Sequence, residues 1–185
     1  MQFDKRIGLL AFAIALWVWM GYSIASHSAK KIIKTTIIQS SRPITYLDAK
    51  IYPKKKEVIW IDKLYFPKSN ELRHPTYGYL GYRRDFVIYF DADFKLKKPQ
   101  RVKFTIYSDD GFCLKIDGKT IMQYIKDRPF SKSEAVVRLA AGRHHLHIKY
   151  FQGFGQLGIV GYYQLEDGKR HFIGKSAGGI EFIEQ

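Results

Sequence analysis

The hydrophobic pattern changes character once along the chain. From Ile7 to Ala25, 19 consecutive positions carry no charged side chain. Beyond residue 26, apolar and polar residues alternate in short runs broken by Gly, Pro and Asp. Alternation with a period of two places one set of side chains on a buried face and the other in solvent, which is a strand pattern. It predicts strands over Ile44 to Tyr52, Glu57 to Phe66, Asp85 to Phe94, Arg101 to Tyr107, Phe112 to Ile116 and Thr120 to Tyr124. Further strands are expected over Ala135 to Ala140, Arg143 to Phe151 and Leu157 to Leu165, with short pieces at Phe172-Ile173 and Ile180 to Ile183. Residues 67–84 and 125–134 read as loops, the first rich in Tyr, Pro and Gly. No helical period and no internal repeat follows residue 26. Many short strands at roughly ten-residue spacing predict an all-β protein, an antiparallel β-sandwich or jelly-roll-like barrel.

The clearest local signal is the stretch from Tyr107 to Lys119. Asp109-Asp110-Gly111 is a turn, because Asp bonds its own backbone and Gly accepts positive φ. Phe112, Leu114 and Ile116 alternate with Cys113 and Lys115, and Asp117-Gly118 then favours a tight hairpin. The adjacent carboxylates Asp109 and Asp110 lie at the mouth of this hairpin.

The uncharged run 7–25 would span roughly 28 Å as a helix at about 1.5 Å per residue, enough to cross a bilayer. Trp17, Trp19 and Tyr22 stand towards its far end, as interfacial aromatics do. The expected organisation is a short tail at 1–6, a transmembrane helix or signal-anchor at 7–25, a connector at 26–43 and the β domain at 44–185. Ser23-Ile24-Ala25 has the small-x-small form of a cleavage site, so a secreted or periplasmic product cut near Ala25 is the alternative. Lys30, Lys31 and Lys34 outnumber Lys5 and Arg6, which by flanking charge alone would hold the domain in the cytoplasm. Large domains cross membranes despite such charge, and the expectation is a single-pass protein with its domain outside the cytoplasm.

The net charge of +14 belongs almost wholly to that domain, since only Asp4, Lys5 and Arg6 are charged among the first 26 residues. A basic surface admits a glycan or anionic envelope polymer, lipid headgroups or nucleic acid, besides plain solvation. Nucleic acid suits an exported domain least. The one cysteine, Cys113, excludes an intramolecular disulfide. His144, His145 and His147 raise a metal reading, but His145 and His147 share a strand face with Arg143 and Lys149. That basic face favours solvation or an anionic glycan over a cation. No phosphate-binding glycine loop or nucleophile elbow is present, and adjacent carboxylates do not establish the separation that glycoside cleavage needs. The chain is not expected to be an enzyme.

The runs Phe86-Val-Ile-Tyr-Phe, Val102-Lys-Phe-Thr-Ile-Tyr-Ser-Asp-Asp-Gly and Leu114-Lys-Ile-Asp-Gly-Lys resemble the PA-14 domain family, named after a fragment of anthrax toxin protective antigen. The later run from Leu139 through Gly142, His144 and Tyr150-Phe151 is similar to that family's second half. The resemblance covers about residues 84–165. It implies an antiparallel β-sandwich used outside the cytoplasm, often for carbohydrate recognition. In sugar-binding members an adjacent Asp–Asp pair holds a calcium ion that binds sugar hydroxyls, and an Asn from a second loop assists. Asp109 and Asp110 match the pair, and the comparable loop offers Gln152, Gly153, Phe154, Gly155 and Gln156, with no Asn. The resemblance therefore implies ligand binding by these seven residues, with calcium on Asp109 and Asp110. The expected function is a membrane-tethered extracytoplasmic module that recognises carbohydrate and contacts the bilayer through residues 7–25. The alternative is an envelope structural or assembly protein that uses the sandwich to bind a protein partner.

Overall fold

The computed structural model describes residues 12–17 and 30–185. Residues 12–17 are helical, and among the described residues no helix is long and apolar enough to cross a membrane. Most of the expected span 7–25 lies outside the described residues.

Most of the rest of the described chain lies in two antiparallel sheets. The larger contains β1 (Ile33–Ser40), β2 (Pro53–Ile61), β6 (Phe86–Leu96), β8 (Phe112–Ile116), β9 (Lys119–Tyr124), β11 (Gly142–Gln152) and β14 (Ile180–Phe182). Its order is β2-β1-β6-β11-β8-β9. Strands β1 and β14 share one side of β6: β1 pairs with Phe86 to Asp91, and β14 with Phe94 to Leu96. The smaller sheet contains β3 (Tyr65–Ser69), β7 (Gln100–Asp109), β10 (Ser131–Leu139), β12 (Leu157–Gln164) and β13 (Arg170–Phe172), in the order β10-β7-β12-β13 with β3 also on β12. A two-residue ladder, β4 (Arg73–His74) with β5 (Gly78–Tyr79), lies within the aromatic loop.

The alternating residues of both sheets meet in one core. Phe90, Phe94 and Ile148 come from the larger sheet, and Phe66, Phe104 and Ile159 from the smaller. Each is fully or almost fully buried. At about 1.5–3 kcal/mol per large apolar side chain removed from water, this shared core is the main stabilising term. The hairpin forms where the turn chemistry placed it. Asp117 and Gly118 have φ of 51° and 76°, the two left-handed residues of a type I′ turn.

Three expectations are corrected. Within the connector at 26–43, which could be an extended tether or a first edge strand, residues 33–40 form β1, and it lies inside the larger sheet between β2 and β6 rather than at its edge. Its Ile33, Thr35 and Ile37 face inward; the paired isoleucines hid this period from the sequence. Pro53 to Lys56, which fall between two of the expected strands, belong to β2, an edge strand, where lysines block pairing with other chains. Ile44 to Tyr52 is not a strand. It is a loop over the outer face of the larger sheet, where Ile44 and Leu47 pack with Val87, Cys113 and Phe151 in a second, smaller cluster. Their burial comes from covering a sheet rather than from joining one.

Candidate functional site

The loop at residues 43–51 and the end of β7 build a groove at one end of the sandwich. Pro43 to Thr45 form one wall, Asp109 and Asp110 the floor, and Asp127 to Pro129 the opposite wall. Gly153, Phe154 and Gln156 close it, and the cavity is about 590 Å3.

Asp110 is the hub. It occupies the left-handed region (φ 62°), which Asp tolerates better than most residues. Its Oδ2 accepts the backbone N–H of Gly153 at 2.7 Å, and its Oδ1 accepts that of Arg128 at 3.3 Å. Its own N–H donates to the Arg128 carbonyl at 3.0 Å. One side chain thus joins three loops. Asp85 performs a similar task at the rim: Oδ1 accepts the N–H of Ile44 at 3.2 Å, and its backbone N–H donates to the Gly153 carbonyl at 3.0 Å.

The two floor carboxylates are 6% and 3% exposed. Among the described residues no Lys, Arg or His makes an ion pair with either. Burial, reinforced by the Asp110 charge, pushes the Asp109 carboxyl up to about 6. Burial also raises Asp110, against the N–H donors of Gly153 and Arg128. Lys68 and Arg128 oppose the rise in Asp109 only through space, and Arg128 is committed elsewhere. Its guanidinium donates to Ser108 Oγ and Ser133 Oγ at 2.8 and 2.9 Å and lies 4.5 Å from the Tyr124 ring centroid. Two buried carboxylates with no direct ion-pair partner among the described residues fit a hard cation, which takes oxygen ligands and offsets the cost of burying like charges.

The second loop divides its expected ligand residues. Gly153 lines the groove, where a Cβ would stand 2.5 Å from the Ile44 carbonyl. Phe154 is 82% exposed at the rim, and Gln156 is exposed beside it. Gly155 is exposed but does not line the groove, and its φ of 95° makes the turn. Gln152 is fully buried. Its Oε1 accepts the Tyr150 hydroxyl at 2.6 Å, and its amide nitrogen donates to the Gln156 and Phe154 carbonyls at 2.8 and 3.3 Å. It holds the loop in shape from beneath and has no free polar atom to offer a ligand. Asp85, Asp127, Arg128 and the 43–45 wall were not foreseen. Their only sequence signals were an Asp before a strand and a charged Pro-containing loop.

Solved structures with similar folds include a PA14 sugar-binding domain from an RTX adhesin (TM-score 0.63, 10% identity), matched over 78% of this chain and 95% of that one. The Epa9 adhesin A domain of Candida glabrata, solved with Galβ1-3GlcNAc, matches with TM-score 0.54 and 10% identity over 77% of this chain and 84% of that one. This chain has a PA14-type fold. An anti-sigma factor domain-containing protein is also similar (TM-score 0.60, 12% identity, 77% of this chain), and there the chain spans 46% of the other's length. No protein-family model matches the sequence, and no curated protein sequence matches significantly. At these identities the PA14 likeness is one of fold.

Proposed function

We propose that this PA14-type domain is a carbohydrate-binding module, displayed outside the cytoplasm and tethered to the membrane through residues 7–25. The observation that carries the reading is the buried Asp109–Asp110 pair, which has no direct ion-pair partner among the described residues, on the floor of an open groove. The sugar-bound Epa9 domain and the sugar-binding RTX adhesin domain share the fold and support the same use.

Asp109 and Asp110 would hold a calcium ion by their carboxylate oxygens. When bound, calcium supplies open coordination positions that sugar hydroxyls fill. The chain's own residues do the rest. Gly153 and Arg128 fix Asp110 through backbone N–H donors, so its carboxylate is oriented before a ligand arrives. Phe154 offers a flat apolar face at the rim, suited to the C–H face of a pyranose. The exposed amide of Gln156 is free to select among hydroxyl patterns.

A glycan array probed with the full chain, in calcium and in chelator, tests the reading. Calcium-dependent binding that Asp109→Asn abolishes supports it. Absence of binding in both conditions by a folded protein overturns it. A protein partner retained by Asp109→Asn and Asp110→Asn would support the envelope-assembly alternative instead.

A further inference from the structure

The basic stripe foreseen on β11 is not basic in the folded protein. The β6–β11 register sets His147 directly opposite Asp91 and His145 directly opposite Asp93. Arg143 is committed to Asp93 Oδ2 at 2.7 Å and Lys149 to Asp48 at 3.1 Å. On the outer face of the larger sheet, away from the groove floor, two imidazoles and a carboxylate therefore converge. Their ligand-capable atoms all lie within 4.8 Å of one another.

We propose that Asp91, His145 and His147 form a binding site for a divalent transition metal of the zinc class. A tetrahedral site with metal–ligand distances near 2.0–2.1 Å needs ligand atoms about 3.3 Å apart. His145 Nε2 lies 3.6 Å from Asp91 Oδ1, and His147 Nδ1 lies 2.6 Å from it. Small side-chain rotations would reach the required spacing, and the half-exposed rings have room to make them.

Asp93 gives the cluster the character of a metal site. Its Oδ1 accepts from His145 Nδ1 at 2.8 Å, which fixes the tautomer whose Nε2 lone pair faces Asp91. A carboxylate that orients a histidine through its other nitrogen is the usual outer support of a ligating imidazole. Arg143 then locks Asp93. Metal entry would replace the His147 Nδ1–H···Asp91 hydrogen bond with two coordinate bonds, and the His147 proton would move to Nε2. Three protein ligands leave a fourth position for water or an outside donor. Lys34 on β1 and Lys115 on β8 stand in register beside the site, opposite Asp91 and His147. Neither makes an ion pair with Asp91, and their repulsion keeps the site weaker than a buried one.

The site does not depend on the carbohydrate reading. The full chain is titrated with Co(II), followed by visible absorption, and then displaced with Zn(II). The expected result is a saturable one-to-one absorption band of four-coordinate Co(II), lost on adding Zn(II). The band should persist in Asp109→Asn, vanish in the double variant His145→Gln/His147→Gln, and weaken by roughly 10–100-fold in affinity in Asp93→Asn. Asp91→Asn, which keeps both imidazoles, is the second variant and should also lose the band if the double variant misfolds. A folded wild type without a saturable band overturns the proposal, as does a band unchanged in folded Asp91→Asn.

Discussion

The backbone N–H of Gly153 donates to Asp110 Oδ2 at 2.7 Å, joining residues 43 positions apart. That bond closes the groove. It fixes the acidic turn after β7 to the loop after β11, and it orients a carboxylate that burial would otherwise leave costly and unplaced.

Gly153→Ala should break this junction. Its Cβ would meet the Ile44 carbonyl at 2.5 Å, and backbone cannot move aside as a side-chain tip can. Overpacking of this kind costs about 1–3 kcal/mol. The urea midpoint should fall accordingly with the m-value unchanged, and glycan binding should weaken at the same time. A variant as stable as the wild type would mean that the two loops are not held together here.

The Asp109 carboxyl gives stability a distinctive pH dependence. Burial and its neighbour Asp110 raise it from 3.8 to about 6 in the folded state, so the native protein holds this proton more tightly than the unfolded chain. The resulting stability is fully present below 3.8 and is lost as pH rises through about 6. Thermal melts across that window should show a declining contribution that Asp109→Asn removes. Calcium should restore stability most strongly above the window, where the carboxylate is charged. Parallel pH profiles for wild type and variant would contradict this.

His144 behaves in the same sense for a different reason. Burial lowers it, but the Asp117 carboxylate at 2.7 Å and the Ala140 carbonyl at 3.0 Å outweigh burial and raise it above 6.5. Its contribution is present below 6.5 and lost as pH rises through the raised value. An NMR titration should find His144 raised above its ordinary value in the wild type and lower in Asp117→Asn. The same value in both would show that the pair is not coupled.

Tyr150→Phe tests the support beneath the second loop. It removes the hydroxyl that donates to Gln152 Oε1 and accepts the N–H of Gly158, leaving buried polar atoms without partners. A loss of about 1–3 kcal/mol is expected by chemical denaturation. A neutral result would mean that Gln152 re-forms its bonds elsewhere.

The fold was largely legible because strands of clean period, such as Arg101 to Tyr107 and Arg143 to Phe151, declare their buried faces. The hairpin at Asp117-Gly118 was legible because few other dipeptides supply two left-handed residues. Strand β1 was hidden by paired isoleucines, and the 44–52 loop was misread because burial over a sheet looks like burial within one. Asp109, Asp110 and Phe154, singled out in the sequence, line one groove. Gln152 was named from the resemblance of its loop; its burial against Tyr150, two residues earlier on β11, depends on packing that the resemblance does not carry. The pairing of His145 and His147 with Asp93 and Asp91 depends on cross-strand register, which composition cannot reveal.

Phe154 and the acidic pair together decide the central claim. Isothermal titration of the full chain with a glycan selected on the array measures it most directly, in calcium, in chelator, and with Phe154→Ala and Asp110→Asn. Binding should be saturable in calcium, lost in chelator and in Asp110→Asn, and weakened by about 0.5–1.5 kcal/mol, up to roughly tenfold, in Phe154→Ala. Glycan binding that is indifferent to calcium and to both substitutions would place the ligand elsewhere on the protein and contradict the account.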